Sequence, residues 1–154
     1  MEVGSRRAAP DDVPALDDLA QAAIAELLPT RGGSLYARHE ARARPLKELL
    51  DDDAALVLVG TIDDTVIGYA AASVEDLRDG SRLAAVSDLF VDPEARGVGV
   101  GEALMDDLVA WATERGCIGV DAMVLPGNRE TKNFFETFGL TARAIVVHRA
   151  LDGE

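Results

Sequence analysis

The chain reads as an α/β layered domain: a mixed, mostly antiparallel sheet with helices on both faces. Three observations predict this. Strand-like runs crowd together between residues 55 and 91. Beyond them, strands and helices alternate. A segment with one clear apolar face, Gly101 to Ala112, directly follows a glycine-rich turn.

The elements follow in order. Val3 to Ala9 suits a short first strand. Asp11 or Asp12 offers an N-cap with Pro14 in the first turn, and Leu16, Leu19, Ala20, Ala23, Ile24 and Leu27 recur at helical spacing. Pro29 ends that helix, and Arg31-Gly32-Gly33 is a loop. A second helix is predicted over Leu35 to Leu50, with Pro45 inside it. Ala55 to Ile62 and Val66 to Val74 are rich in β-branched residues and flank Asp63-Asp64, a hairpin turn. Leu83 to Val91 completes the meander and stops at Asp92-Pro93. The helix after it presents Leu104, Met105, Leu108 and Trp111 on one face and closes at Gly116. Cys117 to Val124 is predicted as a buried strand, Asn128 to Phe138 as a short helix, and Ala142 to Ala150 as a final strand.

Composition narrows the function. At 154 residues the chain fits one domain spanning 1–154. With 15 basic and 28 acidic residues its net charge is −13, which would repel nucleic-acid phosphates. No apolar run approaches a membrane span, and Met1 to Pro10 lacks the apolar core of a signal peptide. The lone Cys117 agrees with a reducing compartment, so a cytoplasmic location is expected. His39 and His148 stand far apart with no second cysteine, and no metal is expected. One stretch runs against the overall charge: Arg31, Arg38, Arg42, Arg44 and Lys47 face only Glu40. It is either a solvated basic helix face or a local site for an anion.

The informative segment is Val91-Asp-Pro-Glu-Ala-Arg-Gly-Val-Gly-Val-Gly101. Glycines let a backbone approach a ligand closely, and the free N–H groups at a helix N-terminus favour an anion. Arg96 adds a charge, and a pyrophosphate is the natural occupant. A Walker loop would need Gly-Lys-Ser/Thr, but the turn ends Val100-Gly101-Glu102. A dinucleotide fingerprint would need a third glycine where Glu102 or Leu104 stands, although Asp121 lies at the spacing of its ribose-binding acid. The pattern that fits is Arg96-x-x-Gly99-x-Gly101 after Leu89-Phe90-Val91-Asp92-Pro93.

Leu89 to Leu104 resembles motif A of the GNAT acetyltransferases, with its Arg/Gln-x-x-Gly-x-Gly/Ala core. Asn128 to Leu140 resembles motif B, and the two lie in the family's order with one strand between them. The resemblance implies the GNAT-type fold, with a splayed central strand pair, and an acetyl-CoA-dependent N-acetyltransferase. It places the coenzyme pyrophosphate on the turn of Arg96, Gly97, Val98, Gly99, Gly101 and Glu102, and the pantetheine arm along Phe90 and Val91 as an added strand. Asn128 would bond the arm, and Phe135 lines it where the family often has the tyrosine that protonates the leaving thiolate. A bulge in the motif A strand would aim an amide at the thioester oxygen.

Phenylalanine has no such proton, so water, Tyr36 or Tyr69 would have to supply it. Asp88 is the first candidate for the base or amine anchor, with Ser87 its neighbour on the opposite face. The acceptor is a primary amine on a small molecule or a protein, attacked in a ternary complex without an acyl-enzyme. A catalytically weak acyl-CoA-binding sensor or partner module is the alternative, and Phe135 is the residue that raises it. The final strand could pair across a homodimer.

Overall fold

The computed structural model describes residues 1–152. Five strands lie side by side in chain order: β1 (Val3–Arg7), β2 (Ala55–Ile62), β3 (Thr65–Asp76), β4 (Arg82–Val91) and β5 (Gly119–Ala122). The first three pairings are antiparallel and β4–β5 is parallel. The helices are α1 (Val13–Leu27), α2 (Gly33–Arg38), α3 (Leu46–Leu49), α4 (Val100–Glu114) and α5 (Arg129–Thr137).

Both faces of the sheet are covered, as expected. Strand β2 shows how its sequence achieves this. Successive side chains of a strand point to opposite faces. Leu56 and Leu58 meet Leu104, Leu108 and Trp111 of α4. Val57 and Val59 meet Leu16 of α1 and Leu46 and Leu49 of α3. A strand buried on both sides carries an unbroken apolar run, which is what Ala55 to Val59 is. The turn between β2 and β3 is the Asp63-Asp64 pair, with φ of 47° and 66°. Left-handed backbone at both central residues is what a tight two-residue hairpin requires.

Glycines set two close approaches. A Cβ on Gly60 would stand 2.5 Å from Val100 Cγ1, so α4 lies directly on β2 at its N-terminal end. A Cβ on Gly33 would fall 1.9 Å from the Leu27 carbonyl oxygen, where α2 folds back against the end of α1.

Four expectations change. The helix predicted over Leu35 to Leu50 is two short helices, α2 and α3, with non-helical chain between them. Pro45 lies at the N-cap of α3, where its fixed φ is tolerated, rather than inside a helix. The strand predicted over Cys117 to Val124 contracts to the four residues of β5, because only these face partners on β4. The splayed pair, β4 and β5, therefore lies at the sheet edge rather than its centre. The strand predicted over Ala142 to Ala150 is not formed, since residues 141–150 carry no regular structure.

The first helix is tied to the sheet by one ion pair. Arg6 on β1 donates to both oxygens of Asp12, at 2.7 and 3.0 Å, and the Ala9 N–H donates to Asp12 Oδ2 at 2.7 Å. The bond from Arg6 holds the Asp12 carboxyl below its usual range, outweighing its burial, with help from Ala9. A carboxyl with a lowered folded pKa stabilises the fold above its unfolded pKa, and that contribution is lost as pH falls through the folded value. Asp12→Asn should therefore flatten the loss of stability below about pH 4, as read from urea midpoints at stepped pH. An unchanged acid limb would contradict this role. In the α4 layer, Leu104 is fully buried. Leu104→Ala should cost about 2–5 kcal/mol in urea unfolding, the usual range for a buried leucine truncated to alanine.

Candidate functional site

The site begins with one residue too many in β4. Ala71 pairs with Asp88, but its neighbour Ala72 pairs with Val86, so Ser87 is an unpaired bulge. The extra residue inverts the alternation of the strand. Ahead of it, Ala84 and Val86 face α4. After it, Leu89 and Val91 face α4, while Phe90 joins the opposite layer with Tyr69 and Ala71. Asp88, two residues from Phe90, shares that face.

The bulge also ends the pairing with β5. The parallel ladder runs from Leu83↔Gly119 to Val86↔Ala122 and stops there. Beyond it, Ser87 to Val91 and Met123 to Leu125 diverge as walls of one cleft of about 760 Å³, whose other walls come from α1, Tyr36, Arg42 and α5. This is the splay that the resemblance led us to expect between this strand pair.

At one end of the cleft lies the glycine turn. Gly97 and Gly99 have φ of 85° and 103°, a conformation that disfavours any side chain. A Cβ on Gly97 would meet nothing within 4 Å, so the turn faces open space. The first bonded N–H of α4 is that of Ala103, which donates to the Gly99 carbonyl at 3.0 Å. The amides before it have no intrahelical acceptor and present the positive end of the helix. The cradle fits a diphosphate.

Individual residues depart from their expected places. Phe90, Val91, Arg96, Gly97, Gly99, Gly101, Glu102, Asn128 and Phe135 all line the cleft, whereas Val98 does not. Gly101 is bare for packing, because a Cβ there would press on Phe134 at 3.2 Å. Arg96 lies over the Phe90 ring at 5.3 Å, donates to the Val91 carbonyl and forms an ion pair with Glu26 of α1 at 2.9 Å. It bridges α1 to the turn as well as bordering it. Asn128 caps α5, its Oδ1 accepting the Thr131 N–H at 3.2 Å.

At the other end, three side chains converge on Asp88. Arg42 donates to it at 3.0 and 3.4 Å, Tyr69 at 2.6 Å and Ser87 at 2.7 Å. Ser87 therefore turns to the same side as Asp88 rather than the opposite face. Both carboxylate oxygens are occupied, and the pair with Arg42 is largely shielded from solvent. Tyr69 titrates well above the ordinary tyrosine range, because burial and the adjacent Asp88 charge both disfavour a phenolate. Tyr36 shifts the same way for the same two reasons, and keeps its proton at neutral pH. Arg42 had been one of five basic residues in an undivided stretch. What singles it out is that the chain after α2 turns it inward. Its local sequence carried no signal, since Arg38, His39, Glu40 and Arg44 around it are as polar as Arg42 itself.

Asp121, on β5, accepts from Arg143 at 2.8 and 2.9 Å and is not among the residues that line the cleft with the glycine turn. His39 is exposed. Among the described residues no cluster of three or more His, Cys, Asp or Glu side chains is placed to hold a metal. No described helix is long and apolar enough to cross a membrane.

Comparison with known proteins agrees with this geometry. The structure resembles BH1408 from Bacillus halodurans (TM-score 0.81, 18% identity, 98% of this chain and all of that one). It also resembles AAC(6')-Iy bound to a bisubstrate analogue, CoA-S-monomethyl-acetylneamine (TM-score 0.75, 19% identity, 97% and 98% covered). These likenesses concern the fold. In sequence, the chain is 30% identical over 134 residues to an uncharacterized N-acetyltransferase of Archaeoglobus fulgidus, covering 84% of this chain and 87% of that protein. It is also 30% identical over 79 residues to glucosamine 6-phosphate N-acetyltransferase of Trypanosoma brucei brucei, about half of each chain. The family model of the GNAT acetyltransferases matches residues 20–140. A bulged strand opening onto a bare helix N-terminus, and a family match across most of the sequence, lead to one conclusion: this chain is an acetyltransferase enzyme of the GNAT family.

Proposed function

We propose that the protein transfers an acetyl group from acetyl-CoA to a primary amine of a small molecule. The observation that carries this is the cleft itself: an anion cradle at one end, a free strand edge along its length, and Asp88 with its three donors at the other. The amides of Gly97 to Gly101 would hold the diphosphate, with Arg96 alongside. The unpaired edge of Leu89 to Val91 would take the amide-bearing arm as an added strand. Acetyl-CoA supplies an activated acyl group and a thiol leaving group. Relatives named for small amines, such as the glucosamine 6-phosphate enzyme, support a small acceptor.

The chain's own contribution is mainly positioning. An amine arrives as an ammonium and must lose a proton before it can attack. Asp88 is the acid at that end and would anchor the amine or take the proton through water. Its bonds from Arg42, Tyr69 and Ser87 fix its direction. Phe135 has no proton for the departing thiol, and Tyr36, protonated and on the cleft wall, is the proton donor in this reading.

Thiol release from acetyl-CoA over a panel of small amines tests the activity. No release with any amine, alongside retained coenzyme binding, would sink it. With the responsive amine, Asp88→Asn should lower kcat/KM at least tenfold, about the low end for losing a positioned acid or base, while coenzyme affinity measured by calorimetry holds. Gly99→Val forces a branched side chain into a left-handed turn and should weaken coenzyme binding at least tenfold, on the order of 1–3 kcal/mol. Equal affinity in that variant would remove the turn from the binding site.

A further inference from the structure

We propose that the acceptor is zwitterionic: its amine takes Asp88, and an anionic group a few bonds away, a carboxylate or a phosphate, takes Arg42. This class of acceptor presupposes the transfer reading above. Hydrogen bonding, charge and the geometry of Arg42 each point to it.

The Asp88 carboxylate is full. A carboxylate accepts at about four lone-pair positions. Oδ1 accepts from Arg42 Nε at 3.0 Å and Ser87 at 2.7 Å, and Oδ2 from Tyr69 at 2.6 Å and Arg42 Nη2 at 3.4 Å. An arriving ammonium must therefore displace a donor. The Nη2 bond is the longest and lies beyond the usual range for N–H to oxygen, so it yields first. The displaced N–H then lacks an acceptor, and a shielded donor without one is costly. An anion on the same ligand supplies it.

Charge leads to the same ligand. Asp88 and Arg42 line the acceptor end of the cleft together, with side chains 11% and 17% exposed. The other charged residues of the cleft wall lie elsewhere: Arg96 pairs with Glu26, Glu102 stands in the first turn of α4 and Glu130 in the first turn of α5. The acceptor end is thus balanced before an amine arrives. A bare ammonium on Asp88 leaves two positive charges against one, where solvent screens little. A second ammonium makes this worse, and an anion restores the balance.

Arg42 is shaped for that anion. A guanidinium is a planar fork of five N–H donors that matches a carboxylate or a phosphate. Its Nη1 also bonds the Arg44 carbonyl, which with the Nε bond to Asp88 holds the plane while Nη2 changes partner. Of the basic residues from Arg31 to Lys47, Arg42 is the one that lines the cleft.

Matched acceptors test this by thiol release from acetyl-CoA: β-alanine and O-phosphoethanolamine against ethanolamine, tyrosine against tyramine, and lysine against cadaverine. The first set separates a carboxylate from a phosphate. The anionic member should be favoured in kcat/KM by about tenfold or more, the low end for a bond to a charged group, chiefly through KM. Arg42→Met should abolish that preference, and Arg42→Lys, which keeps the charge without the fork, should retain part of it. Equal use of both members in every set, or a preference for cadaverine, overturns the proposal on the unmodified protein alone, whether or not a variant folds. So does a preference that survives Arg42→Met. If no amine releases thiol, the transfer reading fails, and calorimetry on the CoA-loaded protein decides the pairing separately. Binding of the anionic acceptors in preference to ethanolamine, lost in Arg42→Met, upholds it, and equal or absent binding overturns it.

Discussion

The site depends on the bulge at Ser87. A regular strand through β4 would have kept one parity from Arg82 to Val91, and Asp88 and Phe90 would have faced α4. The inserted residue turns both to the α1 side, where Asp88 meets Arg42 and Tyr69. At the same point β4 parts from β5 and its edge becomes free. One unpaired residue thus produces the cluster around Asp88, the opening and the free strand edge together. Bulges are local distortions of twist and pairing, and they commonly re-aim side chains beside active sites.

The second constraint is where α4 begins. Its N-terminus aims at the cleft because α4 is clamped from both sides. Val100 and Leu104 press on the bare backbone of Gly60 in the sheet, and Gly101 admits Phe134 of α5. A shift of this helix would move the free amides relative to the strand edge. The glycines of the turn therefore serve two purposes: Gly97 and Gly99 allow the left-handed backbone, whereas Gly101 allows close helix packing.

Charge is arranged on the same plan. The chain is strongly acidic, yet basic side chains occupy the places where anions gather: Arg96 against Glu26 at the turn, Arg42 against Asp88 in the cleft, Arg143 against Asp121 on the edge strand. The Arg42–Asp88 pair is the most enclosed of these. Removing one partner of an enclosed pair leaves the other charge without compensation, which costs more than the pair contributes. Arg42 and Asp88 are consequently coupled in structure as well as in place.

The sequence by itself determined the layer architecture, the hairpin at Asp63-Asp64, α1, α4 and α5, and the glycine turn before α4. These follow from periodicity, β-branched runs and glycine spacing, which act within a few residues and are legible locally. It also carried the family, through two motifs that lie on the turn and on α5. Tertiary structure alone decided that Ser87 is the bulged residue, that Arg42 turns inward, that Gly101 makes room for Phe134 of α5, and that the long helix predicted after Gly33 breaks in two. Each of these depends on what lies across the fold: a register set by the neighbouring strand, a carboxylate 46 positions away in the chain, a ring on another helix. The final strand shows the limit in both directions. Its residues have strand character, but a strand exists only where an edge receives its backbone hydrogen bonds, and residues 141–150 carry no regular structure.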